Sequence, residues 1–168
     1  STTNYVMFAG GSAADRVDVG AAGIGAADII VGGAGTDTLR TGQAISKADG
    51  AGISGFEILS VANGITQDVD ALIANNPFTG IEVRAGANTI NNINADALKN
   101  ISFVGDTVGN TTLTGKGFQA GGLSDTATIN LDNAFATAAD GVDVGTVTFA
   151  NVDVLNLVSK SDGTPTAA

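Results

Sequence analysis

Apolar positions along this chain come in short runs at period two, broken by glycine and asparagine rather than by long charged stretches. Ile81, Val83 and Ala85 alternate with Glu82 and Arg84, and Ala127, Ile129 and Leu131 alternate with Thr128 and Asn130. Each run predicts a half-buried strand with one aliphatic and one polar face. Residues 101–104, 111–114 and 147–149 supply further strands, with turns between them. Residues 56–61 and 152–157 match position by position as apolar, acidic, apolar, Leu, small polar, apolar, which reads as an internal repeat. Both segments are apolar on both faces, so something is expected to cover their outer side. Residues 68–76 start with Asp68, place Val69, Leu72 and Ile73 at helical spacing and stop before Pro77, which predicts one short helix and a candidate cover. Residues 94–100 predict a single helical turn.

Composition narrows the fold class. Among 168 residues, 24 Gly stand against 2 Pro, and charged residues are only 14% against 43% hydrophobic. Disorder and an all-helical fold are both opposed by that balance. The expectation is an all-β chain, a parallel β-roll or β-helix-like solenoid with one or two short helices, forming a single domain over residues 1–168. Within it, residues 10–39 form glycine- and aspartate-rich turns, 56–158 irregular strands, and 159–168 a linker. The chain begins without Met and ends in that linker-like segment, so it reads as a fragment of a longer protein.

Charge changes the list of partners. The net charge is -10, and the seven Lys and Arg are scattered singly along the sequence, so no stripe neutralises a phosphate backbone and nucleic acid is excluded. An excess of aspartate repels itself unless a cation is bound, and hard divalent cations take oxygen ligands, which makes calcium the leading cofactor. With no His and no Cys, the usual triads, thiol nucleophiles, disulfides and His-ligated zinc are absent. Trp is absent and Tyr5 is the only tyrosine, against a glycosidase; a non-catalytic protein is expected. No run of eighteen apolar residues reads as a membrane span, and no signal peptide is visible.

Candidate chemistry concentrates in residues 28–39, where Asp28 and Asp37 lie nine residues apart, each followed two residues later by an aliphatic side chain. The eight residues from Gly32 to Leu39, Gly-Gly-Ala-Gly-Thr-Asp-Thr-Leu, resemble the G-G-x-G-x-D-x-U-x nonapeptide of the RTX, or hemolysin-type, calcium-binding family. Residues 10–17 keep the glycine pair, Asp15 and Val17 but carry Ala13 at the third glycine position. An alanine held there at positive φ would cost roughly 1–2 kcal/mol. The resemblance implies calcium between successive turns, above all between those of Asp28 and Asp37, which the spacing of nine puts one β-roll turn apart, with Asp15, Asp28, Gly33, Gly35 and Asp37 as the metal-site residues. The alternative left open by the residues is a turn whose aspartate bonds backbone. Together with the Thr- and Asn-rich strands, the motif is similar to segments of bacterial S-layer proteins exported by type I secretion. That similarity implies an extracellular, cell-surface protein whose folding depends on calcium, with self-association, neighbouring domains of a parent protein or a cell-surface glycan as partners. A calcium roll of a larger secreted enzyme or toxin, or a glycan-binding adhesive module, is the rival expectation.

Overall fold

The computed structural model describes residues 5–20, 24–62, 64–105, 109–118, 125–132 and 144–160. Among these, the chain is all-β and every strand pairing is parallel. Strands β1 (Met7–Ala9), β3 (Ile29–Val31) and β5 (Ile53–Ser54) form a three-stranded sheet. The longest sheet has seven strands, β2 (Arg16–Asp18), β4 (Thr38–Thr41), β6 (Ile58–Val61), β8 (Gly80–Val83), β10 (Ile101–Phe103), β12 (Thr126–Asp132) and β14 (Val154–Lys160), side by side in that order. A four-stranded sheet holds β7 (Thr66–Asp68), β9 (Thr89–Ile93), β11 (Asn110–Gly115) and β13 (Thr146–Ala150). Along the chain the strands fall alternately in the seven-stranded sheet and in one of the other two. Each round trip, or circuit, therefore lands beside the previous one.

Registration places like on like. Val17, Leu39, Leu59, Ile81, Ile101, Ile129 and Leu157 lie opposite one another in succession across the seven-stranded sheet. Leu39, Leu59, Ile81 and Ile101 in this aliphatic ladder are completely buried. Ile53, Ile90 and Leu113 on the opposing strands are buried as well, so one continuous apolar core runs between the sheets. Burial of each such side chain contributes roughly 1.5–3 kcal/mol, and because the strands are only two to seven residues long, it is this stacking rather than any single strand that holds the fold.

Corners interrupt the backbone ladder and leave amides to be satisfied, and the sequence meets them with Asp, Glu, Asn and Gln. In each case an acceptor side chain from the later circuit takes an N–H of the circuit before. Asp37 Oδ1 accepts from the Asp15 amide at 2.7 Å, Glu57 Oε2 from the Asp37 amide at 2.8 Å, and Gln67 Oε1 from the Ile45 amide at 2.8 Å. Asn76 and Asn88 accept from Phe56 and Ile65, and Asp153 from Asp125. The return distance is 22 residues at Asp15–Asp37 and 28 at Asp125–Asp153.

The two segments read as an internal repeat occupy matching corners. Glu57 and Ile58 both donate their amides to the Asp37 carbonyl while the Glu57 carboxylate takes the Asp37 amide. Asp153 and Val154 do the same to Asp125. The helix expected over 68–76 is instead one 3-10 turn, Val69–Ala71, after strand β7. Asp68 caps it, accepting from the Asp70 amide at 3.0 Å. Beyond it, Asn76 Nδ2 donates to the Leu72 carbonyl at 2.8 Å and to the Ile53 carbonyl of the preceding circuit at 3.1 Å, which ties the chain back before a second turn can form. Nor does it cover an outer face, since Val69 and Leu72 are buried in the shared core. The helical turn expected over 94–100 is present as α1 (Ala95–Leu98). Strand β14 runs through Ser159 and Lys160, the first two residues of the segment read as linker; residues 161–168 lie outside the described residues. No helix among the described residues is long and apolar enough to cross a membrane.

Candidate functional site

The structure stacks the two glycine-rich turns directly. Residues 32–37 sit on residues 10–15, with the Ala34 amide on the Gly11 carbonyl at 2.9 Å and the Thr38 amide on the Asp15 carbonyl at 2.8 Å. Gly33 and Gly35 adopt φ of +112° and +127°. A side chain at Gly33 would collide with the Gly11 carbonyl oxygen, and one at Gly35 would stand 2.6 Å from that of Ala13. These glycines thus serve both the turn and the close approach of two backbones. Ala13 itself is not at positive φ: among the described non-glycine residues only Asn92 and Asn151 are. The strain expected at Ala13 is therefore absent, because the lower turn takes a different local path from the one above it.

Of the five residues singled out in the sequence, Asp15, Gly33, Gly35 and Asp37 come together at this corner, and Asp28 goes elsewhere. Nine residues separate strands of opposite sheets within one circuit: Asp28 precedes β3, Asp37 precedes β4. The Asp28 carboxylate is occupied on both oxygens, accepting from the Val6 amide at 2.7 Å and the Gly25 amide at 2.8 Å. These bonds, Gly25 first and then Val6, hold its pKa below the usual carboxylate value against the opposing pull of burial. A folded-state pKa lowered in this way adds stability above the unfolded value of about 4, and that stability is lost as pH falls through the folded value. Asp28→Asn is expected to flatten the acid limb of the stability curve below about pH 4, read as Tm against pH; an unchanged acid limb would assign that limb to other carboxylates.

Asp37 differs. It is completely buried, its Oδ1 accepts from the Asp15 amide, and its Oδ2 is buried with no hydrogen-bond partner. A Cβ on Gly32 would stand 2.9 Å from that oxygen, so the atom faces the glycine backbone of the corner. Asp15 Oδ2 accepts from Gly11 of its own turn at 3.0 Å. Among the described residues no three His, Cys, Asp or Glu side chains gather at one point, although main-chain carbonyls, which hard cations also take, fall outside that count.

The fold also assembles a cluster that sequence reading missed. Arg16, Arg40 and Arg84, all three arginines of the chain, line a cavity of about 330 Å³ on the outer face of the seven-stranded sheet, together with Glu82, Ala62, Ala85 and Val104. Register explains this convergence: Asp18, Arg40, Ser60 and Glu82 are successive partners across β2, β4, β6 and β8, all on the outward face. Arg16 Nη2 lies 3.4 Å from Glu82 Oε1, Arg40 Nη1 lies 3.5 Å from Asp18 Oδ2, and Arg84 Nη2 donates to the Thr41 carbonyl at 3.2 Å. Glu57 is thus a corner hook and Glu82 a member of this cluster. In sequence the arginines are 24 and 44 residues apart, and only the circuit length makes them neighbours.

No family model, no curated protein and no solved structure matches the chain. The sheets define an all-β protein of parallel strands, and its functional reading rests on its own residues.

Proposed function

We propose that this chain is a non-catalytic β-solenoid module of an extracellular bacterial surface layer, built to associate end to end and stiffened by calcium at its glycine-rich corner. The observation that carries the reading is the state of the ladder at its last strand. Leu155 and Leu157 of β14 lie in register with Ala127 and Ile129 of β12, yet they are 53% and 64% exposed. Val154 and Val158 are exposed beside them. At the opposite end Val6, Met7, Phe8, Val17, Val19, Ile24 and Ile30 line a cavity of about 410 Å³ that opens beside β1 and β2. Among the described residues, one end offers aliphatic side chains and a strand edge with no paired neighbour, the other a mainly apolar recess, bordered by Asp18 and Asp28, and a second such edge. The two differ, so a second copy joins head to tail and the contact repeats without closing.

Calcium belongs to the same reading through Asp37. Its partnerless buried oxygen is the kind of ligand a hard cation satisfies, with Asp15 and the main-chain carbonyls of the two stacked turns completing the oxygen set. Extracellular calcium modules bind at about 10⁻⁴–10⁻³ M, and tenfold saturation adds about 1.4 kcal/mol, which corresponds to a rise in Tm of roughly 3–6 °C. Sedimentation velocity and electron microscopy in millimolar calcium, repeated after chelation, test both parts. Expected are linear oligomers, with a calcium-dependent gain in Tm that Asp37→Asn removes. A monodisperse monomer at all concentrations would overturn the assembly, and an unchanged Tm after chelation would overturn the calcium role.

A further inference from the structure

We propose that the arginine cluster on the outer face of the seven-stranded sheet is a binding site for an acidic sugar, a ligand carrying one carboxylate and several hydroxyls. The site lies on the outer face of the sheet, although Arg16 and Asp18 belong to β2, the edge strand beside the apolar recess, and Arg16 follows Asp15 of the glycine corner, so binding is read with chelator present and on monomeric protein.

Three observations converge. First, a chain of net charge -10 has only three guanidinium groups, and all of them border one cavity of about 330 Å³. Structural pairing alone would place each arginine beside its own carboxylate. Here three arginines share Glu82 and Asp18, leaving one unit of positive charge uncompensated. The arrangement has an electrostatic cost: burial and then neighbouring Arg40 lower the pKa of Arg84, Arg16 adds to that, and Asp18 and Glu82 only partly offset it.

Second, the polar atoms are left without partners. Among the described residues seven buried side-chain polar atoms have none, and four of them, Arg40 Nε, Arg84 Nε, Glu82 Oε2 and Ser60 Oγ, belong to this patch. A buried donor or acceptor without a partner costs about 1–3 kcal/mol, so a concentration of them at one place calls for a ligand. Third, the small side chains Ala62 and Ala85 line the cavity beside the guanidinium groups and leave it room, and Ser60, between Arg40 and Glu82 in the register, adds no bulk there.

The chemistry of the set selects the ligand class. Guanidinium forks bind a planar carboxylate in bidentate fashion. The carboxylate of Glu82, which lines the cavity, only accepts, so it suits a hydroxyl. A doubly charged phosphate is disfavoured by the two carboxylates already present. A single carboxylate on a polyhydroxylated ring satisfies both donors and acceptors, and the cavity has the size of one such ring and part of its neighbour.

Isothermal titration of the chain with monomeric galacturonic acid tests this, in low salt with chelator present so that no divalent ion bridges the two. Neutral galactose and inorganic phosphate serve as comparison probes. The expected result is saturable, salt-sensitive binding of the uronate alone, weakened at least tenfold by Arg84→Gln and by Arg16→Gln. Arg16 is about half exposed, with a side-chain exposure of 47%, so its variant keeps the fold even if burial makes Arg84→Gln unstable; circular dichroism checks both. Absence of uronate binding, equal binding by the folded Arg16→Gln variant, or phosphate binding as tight as uronate would each overturn the proposal.

Discussion

Gly32→Ala is expected to disrupt the stack at its first corner, while Gly11→Ala, in the turn directly below, is expected to be silent. A Cβ at Gly32 meets the Gly55 carbonyl oxygen head-on and comes within 2.9 Å of Asp37 Oδ2, whereas a Cβ at Gly11 meets nothing within 4 Å. The obstructing atom is backbone of the next circuit, so no rotamer change relieves the clash. The circuits must separate, which also lengthens the Gly32 amide bond to the Ser54 carbonyl, now 2.9 Å. Overpacking of this kind costs roughly 3 kcal/mol or more, against less than about 0.5 kcal/mol for the Gly11 variant. Denaturant titration of both variants checks it, and equal stabilities would mean that the glycine column does not set the distance between circuits.

The second large effect comes from two leucines in one ladder. Leu59 and Leu157 lie in the same register column, the first completely buried and the second 64% exposed. Leu59→Ala is expected to cost about 2–5 kcal/mol, because a filled position becomes a cavity that neighbouring strands cannot close. Leu157→Ala is expected to leave monomer stability within about 0.5 kcal/mol. Leu157→Asp is expected to abolish end-to-end association at an unchanged Tm, since a carboxylate at the free edge has no partner when a second copy covers it. Thermal unfolding paired with sedimentation separates the two outcomes. If Leu157→Asp assembled as well as the parent chain, the exposed ladder would not be the contact.

Much of the strand content was legible because period-two alternation reports directly which face is buried. The predicted segments 81–85, 101–104, 111–114, 127–132 and 147–149 coincide with β8, β10, β11, β12 and β13 to within one or two residues. The two- to four-residue strands β1 to β5 and β7 carry too few residues to show a period, and they are strands only because a neighbouring circuit pairs with them. Residues 68–76 show the reverse error. Their spacing satisfies one helical face and Asp68 caps its start, but the side-chain amide of Asn76 is spent on the Leu72 and Ile53 carbonyls, and the helix amounts to one turn.

The sequence by itself determined that the chain is all-β, that glycine and Asx residues mark its corners, and that Gly32 to Asp37 forms a turn of special geometry. These are local properties, fixed by alternation, by the absence of a Cβ and by the reach of a short polar side chain. Only the tertiary structure decided which residues meet. A return distance of 22 residues places Asp37 over Asp15 rather than beside Asp28, and successive returns bring arginines that look scattered in sequence around one cavity. That length is set by how many residues each corner consumes before the next strand can register its aliphatic side chains on the last. It is a property of the packed stack, and no single segment carries it.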